Sequence, residues 1–365
     1  MSDRSFLDPL HRQLQAALQV EHATIPPYFT AWASIQDGAN GEAAEIIRSV
    51  MLEEMLHLTL VANMLNAVGG SPSLTHKHFV PHYPHQLPHT KRPLMVSIEK
   101  FSPDAINTFL SIERPEAPGA GPQAPPFDTL GQFYDHLEGL LRTLCDEHGE
   151  TAVFCGKAEQ QVPPSAYYGA GRLIVVTKLQ DALGALTEIV EQGEGHDGPF
   201  DADAAICGTG GREPAHFYRF LEIRYQRRFR DGDADQPSGA ALPVDYTAVH
   251  PIRSNTQFDD YPPDSPVLHA LEEFAATYGD LLEWLEQAFN GQPDRIAQAV
   301  HTMFALKNQA QALMRIPSEL DPARTVGLTF DQSRRRSVHR RSPARHHPEV
   351  GWIRTHSSIA SSEPT

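Results

Sequence analysis

Two Glu-x-x-His pairs, Glu54-Met-Leu-His57 and Glu213-Pro-Ala-His216, are the residues of this sequence best suited to chemistry. Positions three apart on an α-helix share one face, a turn apart, so each pair would aim a carboxylate and an imidazole at a single point. Each is preceded by a glutamate on a separate predicted helix: Glu21 before the first, and Glu191 or Glu194 before the second. One glutamate from each of two helices, with a Glu-x-x-His from each of two others, is the donor set of a carboxylate-bridged pair of metal ions in a four-helix bundle.

Electrostatic cost argues the same way. An unpaired carboxylate in a dry interior is strongly penalised, and four around one centre would repel one another and be driven to take up protons. Two divalent cations would offset that charge and leave both imidazoles neutral, the form that binds metal. Within the helix stripes that carry these residues, no Lys or Arg is evident as a substitute. Carboxylate and imidazole donors with open positions suit two iron ions, with manganese as the alternative, and such a centre is suited to dioxygen chemistry. On the third helix Glu191 is favoured and Glu194 is second, while Glu188 is expected to be solvated. Glu53 is expected to point away from the seam as a surface charge.

The first helix should start at Asp8-Pro9, a capping residue followed by proline at the first helical position, and should end or kink at Pro26-Pro27. The second follows Asn40-Gly41 and stops at Gly69-Gly70, with Val50, Glu54, His57, Val61 and Met64 in one stripe. Residues 71–172 read as a long, partly irregular insertion. It holds a strand-like stretch at Leu94, Val96 and Ile98, a short helix near Asp104 to Ile112, and an amphipathic helix from Leu130 to Glu147. A second short strand is expected over Arg172 to Val176. The third bundle helix should open near Thr177 with Gln180 completing a capping box and end near Gly193 or Gly195. The fourth should span Glu213 to Phe229, and two further amphipathic helices follow Ser265-Pro266. Five histidines between His76 and His89 lie among prolines and read as a solvated loop; Cys207-Gly-Thr-Gly-Gly reads as a plain turn, and Tyr28 and Tyr218 as core tyrosines near the ligands.

The net charge of −16 argues against nucleic acid and anionic membrane as partners. No apolar run reaches the length of a membrane span and the N-terminus lacks a signal-peptide pattern. Three dispersed cysteines make no disulfide framework. A cytoplasmic protein is expected, and the sequence leaves a homo-oligomer open. After residue 330 the composition turns to Arg, Ser, His and Pro, and residues 331–365 read as a disordered tail.

Several stretches carry a family resemblance. They are Leu18-Gln-Val-Glu-His-Ala-Thr-Ile-Pro-Pro-Tyr28, Glu53-Glu-Met-Leu-His-Leu58, Tyr83-Pro-His-Gln-Leu-Pro88, Ile112-Glu-Arg-Pro-Glu116, Ile189-Val-Glu-Gln-Gly-Glu-Gly195 and His216-Phe-Tyr-Arg-Phe220. Together they resemble the ferritin-like domain family of iminophenyl-pyruvate dimer synthases, as a stand-alone member. The resemblance implies an all-α, ferritin-like four-helix bundle over residues 1–330, with additional C-terminal helices. It also implies a di-iron centre and a place in secondary metabolism, with Glu21, Glu54, His57, a glutamate of the Glu191–Glu194 turn, Glu213 and His216 as ligands; catalytic residues beyond these are not indicated. The expected function is a non-haem di-iron oxidoreductase using dioxygen on a small amino-acid-derived substrate. The alternatives are an imine-coupling enzyme without iron redox chemistry, and a non-enzymatic metal-binding bundle.

Overall fold

The computed structural model describes residues 4–87, 94–115, 127–167, 169, 171–193, 206–207, 211–212 and 214–334. Two 27-residue helices, α1 (Asp8–Ser34) and α2 (Gly41–Ala67), pack along each other and form its spine. Three helices follow: the short α3 (Pro103–Ile112), the 19-residue α4 (Leu130–His148) and the single turn α5 (Glu150–Val153). Beyond them come α6 (Leu179–Gly193), α7 (His216–Tyr225), α8 (Pro266–Phe289) and α9 (Ile296–Leu313). Strand structure among the described residues is slight. Strand β1 (His85–Gln86) pairs antiparallel with β2 (Met95–Val96), and β3 (Ile206–Cys207) with β4 (Gly211–Arg212). The glycine run after Cys207 therefore joins two short strands, and its residues 208–210 lie outside the described set.

Four helices close a ring: α1 meets α2, α2 meets α6, α6 meets α4, and α4 returns to α1. This is a four-helix bundle, but its fourth wall is α4, from within the stretch expected to be an insertion. Helix α7 instead pairs with α3 against α1, α2 and α6. The α8–α9 pair covers the outer sides of α1 and α2. A helix covered on every side has no wet face, and α2 is buried at each position from Leu56 to Ala67. Glu53 lies within this enclosure at 2 % exposure, which overturns its reading as a surface charge.

The double proline does not end α1, which runs on to Ser34. Pro27 lacks the N–H that would bond the Ala23 carbonyl four residues back, and the Tyr83 hydroxyl donates to that carbonyl instead, at 3.0 Å. No strand forms over Arg172 to Val176. The segment is latched to side chains rather than to a neighbouring strand: Asn63 Nδ2 donates to the Ile174 carbonyl at 2.9 Å, and the Val176 N–H donates to Gln161 Oε1 at 2.7 Å. Thr177 bonds Asp181, not Gln180, through both its N–H and its hydroxyl.

Helix α7 is shorter than expected. It begins at His216, behind an Ala215 with extended geometry (ψ 161°), and ends at Gln226 in the left-handed region. The helix thus opens two residues past Pro214, and Glu213 lies outside the described residues. At the far end, packing continues to Arg334, whose guanidinium pairs with Asp259 and lies 5.3 Å from the Phe258 ring centroid. The remainder of the expected tail, 335–365, lies outside the described residues.

Candidate metal centre

Glu21 comes from the middle of α1, and Glu54 and His57 from one face of α2. Glu113 is the C-cap of α3, its N–H bonded to the Phe109 carbonyl, and His216 is the first residue of α7. All five are buried, none above 3 % exposed. Their donor atoms form two groups, Glu21–Glu54–His57 and Glu54–Glu113–His216, each with its atoms within 4.8 Å of one another. Glu54 belongs to both, as a bridging carboxylate would.

His57 Nδ1 lies 3.4 Å from Glu21 Oε2 and 3.9 Å from Glu54 Oε1. His216 Nδ1 lies 2.9 Å from Glu54 Oε1 and 3.6 Å from Glu113 Oε2. Donors each about 2.1 Å from one ion stand about 3.0 Å apart at a right angle and about 4.2 Å apart when opposed. The observed separations fall within or just at the edge of that range. The two imidazole rings stack with centroids 5.5 Å apart and planes at 25°.

A second layer fixes each donor. His216 Nε2 lies 2.8 Å from Glu53 Oε2, and Arg219 pairs with the same oxygen. A carboxylate held ionised can only accept, so Nε2 carries the hydrogen and Nδ1 presents a lone pair to the centre. That nitrogen is buried and faces the carboxylate oxygens of Glu54 and Glu113. Lone pair against carboxylate is repulsive unless a proton or a cation lies between, so the donor set fits a metal ion. His57 Nε2 is 2.9 Å from Gln192 Oε1 on α6, with Gln192 Nε2 donating to Glu188 at 2.9 Å. The Tyr28 hydroxyl donates to Glu113, the Tyr134 hydroxyl to Glu21, and the Thr24 hydroxyl to Glu54 Oε2 at 2.9 Å.

Proton affinities show the strain of this charge when no cation is present. Burial and the charge of Glu113 push Glu54 up to about 7. For His216 burial acts downward, yet hydrogen bonds to Glu113, Glu53 and Glu54 outweigh it and hold the ring well above its ordinary value. His57 is raised too: burial opposes, but its bond to Glu21 and the charge of Glu54 prevail. Burial and the charges of Glu113 and Glu54 raise Tyr28; burial and Glu21 raise Tyr134. Glu53 goes the other way. Burial would raise it, but the Arg219 charge and the His216 bond bring it down to about 2.

Of the residues singled out from sequence, Glu21, Glu54, His57 and His216 are thus brought together. Glu191 is half-buried on α6 and belongs to neither group; one residue on, a rotation of about 100° turns Gln192 toward His57. Glu188 is half-buried and bonds Gln192 and the Arg172 N–H. Glu194 and Glu213 lie outside the described residues. Sequence reasoning missed Glu113, although it continues the buried Ala105, Phe109 and Ile112 face of α3. It also missed Arg219, which neutralises Glu53 and leaves Glu21, Glu54 and Glu113 without a basic partner among the described ion pairs other than the two histidines.

Among the described residues, no helix is long and apolar enough to cross a membrane. A crystal structure of a ferritin-like protein from Caulobacter vibrioides is similar, with a TM-score of 0.60 and 23 % identity over 84 % of this chain and 94 % of that one. At that identity the likeness is one of fold. No match is found among curated proteins. The Ferritin-like family model matches residues 14–225, the span from α1 to the end of α7 that supplies every donor described above, and the chain belongs to that family.

Proposed function

We propose that this protein is a two-metal oxidoreductase that uses dioxygen on a small amino-acid-derived substrate, with iron as its metal and manganese as the alternative. Its folded unit would be a single ferritin-like domain ending near residue 330. The observation that carries the reading is the shared Glu54 between two buried carboxylate–imidazole groups, together with His216 Nδ1 facing the carboxylates of Glu54 and Glu113. Glu21 and His57 would hold one ion, Glu113 and His216 the other, and Glu54 would bridge them. A bound pair of redox-active ions would supply dioxygen activation and electron transfer.

The chain's own residues prepare that chemistry. Glu53 orients His216 by accepting from its Nε2, which leaves Nδ1 as the nitrogen turned toward the metal position, while Gln192 does the same for His57. Tyr28, Tyr134 and Thr24 donate to carboxylate oxygens and so limit how Glu113, Glu21 and Glu54 can turn. The Tyr28, Phe109 and Phe220 rings, with centroids 4.5 to 5.4 Å apart, wall one side and exclude water. Support for the substrate class comes from the motif resemblance to the ferritin-like domain of iminophenyl-pyruvate dimer synthases, whose reactants are oxidised amino acids.

The test is anaerobic loading with Fe(II), exposure to dioxygen, and a search of aromatic and other amino acids for substrates that accelerate oxygen uptake. The expected result is the near-ultraviolet absorption of a ferric pair together with substrate-dependent oxygen consumption and an oxidised product by mass spectrometry. Turnover that survives complete chelation would favour imine coupling without redox metal. Binding of many ions per chain without turnover would favour a storage role.

A further inference from the structure

The two halves of the centre match in their tyrosines but not in the partners of their imidazoles. Tyr28 donates to Glu113 on one side and Tyr134 to Glu21 on the other. His216, in contrast, bonds an anion: Glu53 Oε2 lies 2.8 Å from Nε2, and Arg219 pairs with that same oxygen. Arg219 is anchored in turn to the Pro214 carbonyl at 2.8 Å and to Ser49 Oγ at 2.9 Å. His216, Glu53 and Arg219 are all buried. His57 bonds a neutral amide, Gln192 Oε1, at 2.9 Å. From there the chain leads through Glu188 to Arg172, whose side chain is 69 % exposed.

We propose that the two metal positions are inequivalent and fill in order: first Glu54–Glu113–His216, then Glu21–Glu54–His57, with Glu53 and Gln192 as the positioning residues that set the sequence. This rests on the two-metal reading above. An ionised acceptor makes the stronger hydrogen bond and raises the donor strength of the imidazole beyond what a neutral amide does. The His216 group is also closer to a binding geometry. Its Nδ1 stands 2.9 and 3.6 Å from the two carboxylates, against 3.4 and 3.9 Å for His57, so less rearrangement separates it from an occupied state. Arg219 opposes a nearby cation, but Glu53 stands between it and the imidazole, and the nearer charge dominates. Outer partners of this kind change metal affinity by about 10- to 100-fold, which sets the expected gap. The chain of contacts from His57 ends on the exposed Arg172 side chain, whereas that from His216 ends on the buried Arg219.

The experiment is a titration of the metal-free full-length protein with Mn(II) chloride, following free and bound Mn(II) by electron paramagnetic resonance, with circular dichroism confirming the fold of each variant. Wild type should bind in two phases about 10- to 100-fold apart. His57→Ala should keep the tight phase and lose the weak one; His216→Ala should lose the tight one. The double exchange Glu188→Gln with Gln192→Glu keeps the hydrogen-bonded pair but gives His57 an anionic partner. It should tighten the second phase about tenfold, a gain that a merely structural role for Gln192 would not produce. Two ions bound with equal affinity, or a tight phase that survives His216→Ala and vanishes in His57→Ala, would overturn the order. No Mn(II) bound by folded wild type would remove the two-metal reading itself.

Discussion

Glu54 is where the energetics of the centre concentrate. It is buried beside Glu113 and Glu21, and its proton affinity is pushed up to about 7, while His216 and His57 are also raised. In the metal-free protein these groups therefore hold protons near neutrality, and an incoming cation must displace them. The sign follows. Below pH 7 protons compete effectively and binding is weak; as the pH rises through 7 Glu54 gives up its proton and affinity increases. Calorimetric titration with Mn(II) at pH 6 and pH 8, in buffers of different ionisation enthalpy, should show tighter binding at pH 8 and net proton release at pH 6. Affinity independent of pH over that range would contradict the assignment. At this scale much could be read in the sequence, since helical spacing alone set Glu54 against His57. Glu53 could not be read, because the rule that adjacent helical residues face apart says nothing about whether the second face is also covered. Glu113 was hidden for another reason: it ends a short helix in a stretch rich in loop residues, and no partner of helical spacing points to it.

At the scale of elements, several segments are held by single polar side chains rather than by regular pairing. Asn63, fully buried on α2, accepts from the Val162 N–H and donates to the carbonyls of Val162 and Ile174. It thereby ties the 162–176 segment, which leads into α6, to the spine. Asn63→Ala should cost about 3 kcal/mol, since three buried bonds are lost and their backbone partners are left unsatisfied; urea denaturation would measure it, and a loss within 0.5 kcal/mol would show the latch to be unimportant. Tyr83→Phe leaves the Ala23 carbonyl without the donor that Pro27 cannot supply, and should cost about 1 kcal/mol by the same measurement. Both devices explain misplaced elements. A proline pair reads as a helix end only when the freed carbonyls have no other donor, and an alternating stretch becomes a strand only when a neighbouring strand is available. The Glu213–His216 spacing suggests one helical turn, whereas helix α7 starts only at His216, behind an extended Ala215.

At the scale of the whole molecule, the bundle gathers at least three carboxylates, together with two imidazoles, in a dry interior, which is unfavourable without a cation. Ligand binding to the native state alone should then stabilise the fold by about 2.7 kcal/mol per site at a hundredfold excess over Kd. Thermal melts should rise on metal addition and fall reversibly with chelator, more at pH 8 than at pH 6. The all-α, ferritin-like architecture was legible from helix signals and motifs, because long apolar stripes, with Pro9 and Pro266 in the first turns of α1 and α8, dominate both ends of the folded region. Which helices close the ring was not. The α4 stripe looked like part of an insertion, and only contact with α1 and α6 makes it a bundle wall.

The most direct measurement is the metal-to-protein ratio after anaerobic Fe(II) loading and removal of free ions, for wild type and Glu54→Ala side by side. Two iron ions per wild-type chain, falling to one or none when the bridging carboxylate is removed from a protein that still folds, is the expected result. Unchanged occupancy in Glu54→Ala, or a folded wild type that retains no metal, would contradict a carboxylate-bridged centre at this site.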